Sequence, residues 1–429
     1  MSTWKAALMG AVGVGAGVSA AAWAEQRRRR DPLRSKIVIV GGGTAGIDVA
    51  ARLCRQLANP DVTIIDPAEQ HSYQPGWTLV AAGVFPKKHF DRAEASLIPR
   101  PAVWIRERVA SFEPEADAVI LESGKRIGYD YLVVAAGHQL DYAKVDGVEG
   151  RVGRNGLYSN YTGDGATATW RDIRSFEGGT ALFVEPKGPI KCGGAPQKIA
   201  YLADSHWRRS GVRDRIDQRF VTGKPVIFGS PYYRPALEEV MRRKAITPVV
   251  SHNLVSVDPD QKIATFDTGE GDMTMDYDFL HFCPPQSAPD FIKASALADA
   301  SGYVEVDSST LQHKRFPNVF GLGDSSNLPT SKTGAAIRKQ APVVVHNLLR
   351  HAAGADLAVD SLEYHGYSSC PVVTDYGKMM LAEFDYSLKP TPTLPPWDHD
   401  SRVPTYANWL IKTRALPVLY WQGMMRGLA

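Results

Sequence analysis

The four cysteines, Cys54, Cys192, Cys283 and Cys370, are the residues whose types best suit redox chemistry, and their settings separate them. None lies at the close paired spacing of a zinc site, and four are too few for a disulfide scaffold, so each is judged alone. Cys54 falls on a run of helical period with Ala50, Ala51 and Leu57 and reads as packing, as does Cys283, which ends an apolar strand-like run. Cys192 is different. In "PIKCGGAPQKIAYLAD" it stands just before two glycines and a helix-like run, where a helix N-terminus and the adjacent Lys191 favour a thiolate and therefore a nucleophile. Cys370, in "GYSSCPVVTDYGKMML", follows a polar turn and precedes a proline and a β-type run. Only a folded domain brings two such distant thiols together.

The elements that must position them begin at Lys36. "KIVIVGGGTAGIDVAARLCRQL" is a short apolar strand, a glycine turn and a helical-period run; Gly41, Gly43 and Gly46 satisfy G-x-G-x-x-G, with Thr44 and Ala45 between the last two. The first glycine permits the tight turn, the second lets a pyrophosphate approach the backbone, and the third lets helix and strand pack closely. An acid for a ribose hydroxyl is expected about 20 residues further on, and "DVTIIDP" supplies Asp66 at the end of a second strand. "SFEPEADAVILESGKRIGYDYLVVAAG" reads as a hairpin-like pair of strands, a glycine turn and a buried strand whose end carries Ala135 and Gly137. The same layout recurs in "SVDPDQKIATFDTGEGDMTMDYDFLHFCPP". The repetition predicts an α/β chain with two doubly wound, Rossmann-like domains, each with a β-rich insertion.

The second copy lacks a fingerprint: its strand "TALFVEP" runs into "KGPIKCGGAPQK", so NAD(P)H is not the expected reductant, and Cys192 occupies the place. A third element, "RFPNVFGLGDSSNLPTSKTGAAIRKQA", carries Gly323 and Asp324 at a strand end and Lys332 at a helix entry. An acid there accepts from ribityl hydroxyls, and a lysine at a helix N-terminus offsets negative charge on a reduced isoalloxazine, a combination that asks for FAD. Gln74, with His71 and Trp77 in "HSYQPGWT", is a candidate border of the flavin.

Composition sets the outer bounds. A hydrophobic fraction of 44%, a charged fraction of 22% and a net charge of +3 describe a globular chain and exclude a nucleic-acid partner. Ala6 to Ala24 carry no charge and lead into "EQRRRRDPLR", which suits a membrane anchor, a cleaved signal peptide or an organellar presequence. As an anchor it places the body on the cytoplasmic or matrix-like side, because Arg27 to Arg30 outweigh Lys5. The stretch "SRVPTYANWLIKTRALPVLYWQGMMRGLA" mixes basic residues with Trp and Leu, as an interfacial membrane segment does, and Pro417 is expected to break it in two; the alternative is a helix packed on the body.

Beyond these readings, the chain resembles the sulfide:quinone oxidoreductases of the flavin disulfide-reductase superfamily, in the branch that includes the mitochondrial enzymes. The resemblance covers nearly everything after Lys36 and is carried by "YQPGWTLVAAG", "GPIKCGGAPQKIAYL", "FPNVFGLGDSSNLPTSKT" and "YHGYSSCPVVTDYGKMMLAEFDY". It implies an FAD domain in 36–145 and 289–362, a second domain in 146–288, a C-terminal membrane- and quinone-facing region in 363–429, and an N-terminal targeting or anchoring segment in 1–35. It also implies that Cys192 and Cys370 form the redox pair, with hydrosulfide attacking at Cys370 and Cys192 freed as a thiolate that reduces the flavin. The implied partners are sulfide, ubiquinone or another membrane quinone, membrane lipid, and a sulfur acceptor such as glutathione, sulfite or sulfide, at a bacterial plasma membrane or the mitochondrial inner membrane. A membrane NADH:quinone dehydrogenase of related fold and a persulfide-binding redox sensor without turnover are the rival readings.

Overall fold

The run Ile37, Val38, Ile39, Val40 has no polar face to give to water, so it makes a stable strand only when neighbours flank it and helices cover it. In the computed structural model, which describes residues 31–393 and 400–429, it is the middle of a five-stranded sheet. The order is Val319–Gly321, Tyr131–Val134, Lys36–Val40, Asp61–Ile65, Val103–Ile105, and every pairing is parallel. Register matters for the site. Lys36 lies opposite Asp61 and Val40 opposite Ile65, so the fingerprint turn and Asp66 emerge at the same edge. That carboxyl edge of the strands is where a doubly wound sheet binds its ligand.

A second parallel sheet takes the order Leu157–Tyr158, Phe279–Phe282, Gly179–Glu185, Ile216–Thr222, Thr247–Val249. The repeat read from the sequence is visible in both halves: an antiparallel insertion leads directly into a buried parallel strand. Each insertion has three strands and not two, Val109–Glu113, Ala118–Leu121 and Arg126–Gly128 in one, Asn253–Asp258, Ile263–Asp267 and Asp272–Asp276 in the other. The added strand forms because the residues after each glycine turn pair back onto the hairpin.

Three helices carry the site. The fingerprint helix, Thr44–Gln56, follows the first strand. The cysteine helix, Ala195–Arg209, is buried nearly all round through Ile199, Ala200, Tyr201, Leu202, Ala203 and Trp207, as a helix between two cores must be. The third, Gly334–Ala352, starts at Thr333, whose side chain accepts from the Ala336 N–H and so satisfies one of the free donors of the first turn. A hairpin, Ser368–Asp375 with Lys378–Phe384, packs against the cysteine helix and brings Cys370 into the core.

The C-terminal segment departs from expectation. Pro417 does not divide it: the chain stays helical over 406–426, because the turns on both sides of the proline widen to π geometry and absorb the missing N–H. Its inner face, with Lys412, Thr413, Tyr420, Met424 and Met425, is buried on the body, while Tyr406, Leu410, Val418 and Leu419 face outward. The apolar stretch from Ala6 to Ala24 and its arginines lie outside the described residues. Among the described residues no helix is long and apolar enough to cross a membrane.

The closeness of strand and fingerprint helix is testable. A Cβ at Gly46 would stand 1.8 Å from the Gly41 carbonyl oxygen, which is backbone and has no slack. Gly46→Ala is therefore expected to destabilise the protein by about 1–3 kcal/mol, measured by urea unfolding.

Candidate active site

The loop after Glu185 contains two prolines and three glycines and cannot continue a strand; it turns back on itself at Cys192, whose φ of 56° is left-handed, a conformation rare for a side chain with a Cβ. Two backbone bonds hold the bend: the Cys192 N–H donates to the Lys332 carbonyl at 2.8 Å, and the Ala195 N–H donates to the Cys192 carbonyl at 2.8 Å. The cysteine loop is thus tied to the loop that opens the Gly334–Ala352 helix.

The bend aims one sulfur at the other. Cys192 Sγ lies 3.2 Å from Cys370 Sγ, although 178 residues separate them in the chain. Cys370 is 1% exposed and Cys192 half-buried, so one sulfur is shielded and the other reachable. Gly194 makes the approach possible, since a Cβ there would stand 2.6 Å from Cys370 Sγ. Cys54 and Cys283 are buried, and burial pushes the Cys283 thiol up, as an inert packing residue requires.

The charge on the pair is set locally. A hydrogen bond from the Cys370 thiol and the Lys198 ammonium, whose Nζ is 3.1 Å from Cys192 Sγ, hold Cys192 well below the ordinary thiol range, against the opposing effect of burial. Donating that hydrogen bond, together with burial, pushes Cys370 up. Lysine supplies the charge as the sequence led one to expect, but from a different position. Lys191 turns away: its Nζ donates to Gln74 Oε1 at 3.0 Å and lies 6.0 Å from the centre of the Trp77 ring. Lys198 sits one turn inside the cysteine helix, and only the left-handed bend at Cys192 folds the sulfur back to meet it. A second buried cation comes from the C-terminal helix. Lys412 donates from Nζ to the Pro75 carbonyl at 2.9 Å, and burial, with the repulsion of Lys198, lowers it to about 7.

The dinucleotide side is built from the residues named by the sequence. Gly41 takes φ 106°, and a Cβ there would stand 2.5 Å from the Ala135 carbonyl oxygen, whereas Gly43 and Gly137 have nothing within 4 Å where a Cβ would project. Two open positions beside a crowded turn form a cradle that a ligand can enter. Asp66 Oδ2 accepts from the Gly42 N–H at 2.6 Å and so braces the turn. Ala45 packs against the turn at Gly323, whose own Cβ would stand 3.4 Å from the Ala45 Cβ, and Gly323 N–H is held by Gln340 Oε1 at 2.9 Å. Thr44 opens the helix with its hydroxyl 2.8 Å from that of Tyr420.

Asp324 and Lys332 meet beside this cradle. Lys332 is buried, donates to the Ser326 carbonyl, and lies 4.9 Å from the centre of the Tyr303 ring; burial lowers it to about 8, with Asp324 opposing. Around them His138 Nε2, Tyr303 OH and Ser325 Oγ are buried without a hydrogen-bond partner among the described residues. Buried polar atoms are nearly always satisfied. Their concentration here, beside the open positions at Gly43 and Gly137, fits a bound group rich in donors and acceptors. Among the described residues no cluster suits a metal ion. The sequence missed Lys198, Gly194, Lys412, His138, Tyr303 and Tyr420. Of these only Lys198 left a trace, as a lysine in the first turn of the helix after a nucleophile candidate.

A reactive sulfur pair beside a dinucleotide cradle defines a disulfide oxidoreductase of the two-domain kind, and the family described as "Pyridine nucleotide-disulphide oxidoreductase" matches residues 35–169. Mitochondrial sulfide:quinone oxidoreductase from Dictyostelium discoideum is 41% identical to this chain over 406 residues, 94% of this chain and 88% of that protein. The Mus musculus protein of the same name is 40% identical over 91% of this chain and 86% of its own. The solved sulfide:quinone oxidoreductase of Aquifex aeolicus superposes with a TM-score of 0.76 at 21% identity, covering 91% of each chain, and shares the fold. The chain belongs to the sulfide:quinone oxidoreductase family.

Removing the Lys198 cation takes away both its hydrogen bond and its charge, so the Cys192 pKa rises. In dithiol-reduced Lys198→Met the pH dependence of iodoacetamide alkylation at Cys192 is expected to move to higher pH, with alkylation about tenfold slower at pH 7.

Proposed function

We infer that this protein is an FAD-dependent sulfide:quinone oxidoreductase, which oxidises sulfide to sulfane sulfur at Cys192 and Cys370 and delivers two electrons to a membrane quinone. The observation that carries the reading is the sulfur pair at 3.2 Å with a lysine ammonium 3.1 Å from one member only. That asymmetry assigns roles. In the oxidised pair, hydrosulfide attacks Cys370 sulfur, a new S–S bond forms, the Cys192–Cys370 bond breaks, and its electron pair leaves on Cys192, the sulfur whose negative charge Lys198 and Lys412 favour. A nucleophilic acceptor, glutathione, sulfite or a second sulfide, removes the outer sulfur from Cys370 and leaves Cys370 as a thiol beside the Cys192 thiolate. Their rejoining as a disulfide releases two electrons. FAD, when bound, takes up these two electrons and returns them one pair at a time to quinone. In the cradle Gly41, Gly43, Thr44, Ala45 and Gly46 would hold its pyrophosphate, Asp66 its ribose, Asp324 its ribityl chain and Lys332 its ring, with Ala135, Gly137, Gly323 and Gln74 lining the approach.

Quinone lives in the bilayer, and the outer face of the C-terminal helix supports a seat there. Tyr406, Leu410, Val418 and Leu419 are exposed together, with Arg414 and Arg426 exposed at intervals suited to anionic headgroups. The Dictyostelium discoideum and Mus musculus relatives are mitochondrial proteins, which supports mitochondrial association for this chain.

Two measurements test these readings. Mixed anaerobically with sulfide, the parent protein is expected to lose its flavin absorbance within the mixing experiment, and Cys192→Ser to keep both FAD and its colour; bleaching by NADH and not by sulfide would instead favour an NADH:quinone dehydrogenase. The double variant Leu410→Glu with Val418→Glu is expected to lose most of its co-sedimentation with anionic vesicles while retaining sulfide-driven flavin reduction. Equal sedimentation of parent and variant overturns the seat.

A further inference from the structure

The C-terminal helix reaches past any membrane seat and into the dinucleotide site. Tyr420, 3% exposed, places its hydroxyl 2.8 Å from Thr44 Oγ1 and 2.5 Å from His71 Nε2. His71 is buried and its Nδ1 lies 3.3 Å from Glu94 Oε2. The other Glu94 oxygen is buried without a partner among the described residues, and a Cβ on Gly42, inside the fingerprint, would stand 3.0 Å from it. Glu94, His71, Tyr420 and Thr44 thus form one chain of polar contacts, hydrogen-bonded at Tyr420 and ion-pair spaced at Glu94, that starts beneath the glycine turn and returns to it.

The tail grips the same helix further along. Gly427 takes φ 64° and comes so close that its Cβ would stand 2.7 Å from Arg52 N and 2.9 Å from the Ala51 carbonyl carbon. Met424 and Met425 are buried with it. The Tyr420 ring is held in place by Tyr73 at 4.7 Å and Trp421 at 4.9 Å between centroids, so its hydroxyl has little freedom to miss Thr44. The backbone N–H groups of a helix N-terminus bind phosphate, and here the residue that opens the helix is contacted by a residue from the opposite end of the chain.

We propose that the end of the C-terminal helix is a latch on FAD, with Tyr420 a positioning residue that sets the Thr44 rotamer and Gly427 the point at which the tail closes on the fingerprint helix. The proposal rests on the reading that FAD fills the cradle. Because coupling between two binding events is reciprocal, FAD in turn seats the tail, and a tail seated on lipid holds FAD more tightly.

The test uses the purified holoenzyme, its FAD content read first from visible absorbance. FAD release after dilution is followed by flavin fluorescence. Tyr420→Phe keeps the ring stacking and loses only the hydroxyl, and is expected to release FAD about three- to tenfold faster, the effect of one lost hydrogen bond. Thr44→Val is expected to lose as much, and the double variant no more than Thr44→Val alone, because Tyr420 acts through Thr44. Release at the parental rate from Tyr420→Phe overturns the latch, as does a double variant whose loss is the product of the two single losses. A lowered apoprotein melting temperature with unchanged release marks Tyr420 as packing only and also overturns it. Absence of FAD from the parent overturns the cofactor reading and the latch with it; FAD present with unaltered release overturns the latch alone.

Discussion

The left-handed bend at Cys192 and the backbone bond that pins it to the Lys332 carbonyl carry the sulfur centre. A non-glycine residue at positive φ costs about 1–3 kcal/mol and persists only where its surroundings over-determine it. Here they do. The Lys332 carbonyl fixes the bend from the loop before the Gly334–Ala352 helix, the Ala195 N–H fixes it from the cysteine helix, and Gly194 clears the space that Cys370 sulfur fills. Straighten the loop and three things fail together: the sulfurs part, Lys198 loses its acceptor, and the tie between the two sheets is released.

That one constraint explains the asymmetry of the pair. Two thiols in one low-dielectric pocket cannot both ionise easily, and a single lysine bonded to one of them decides which does. The half-buried member takes the charge, and the buried member keeps its proton. Lys412 adds a second cation without a hydrogen bond to sulfur, and burial, with a smaller part from the repulsion of Lys198, brings it down to about 7.

The C-terminal helix has an exposed face and a buried one. Its exposed side mixes apolar residues with Arg414 and Arg426, and its inner side chains reach the sulfur pocket and the fingerprint turn. A segment that reads as a simple membrane foot is therefore also a wall of the active site. The π turns on both sides of Pro417 keep the segment helical from the sulfur pocket to the fingerprint turn.

Local sequence was enough for the sheets, the glycine turn, the place of Asp66 at its strand end and the internal repeat, because each depends on residues adjacent in the chain: apolar runs, turn glycines, a helix start. It was not enough to choose Lys198 over Lys191, since that choice turns on one positive φ, nor to see that Pro417 leaves the helix whole. Lys412 and Tyr420 were hidden for another reason. Their partners, Pro75 and Thr44, lie more than half the chain away, and nothing in the spacing of a tail announces which distant loop it will cover. Chemistry that acts through neighbours in sequence was determined by the sequence itself, and chemistry that acts through neighbours in space was decided by the packing of two sheets and a tail around one bend.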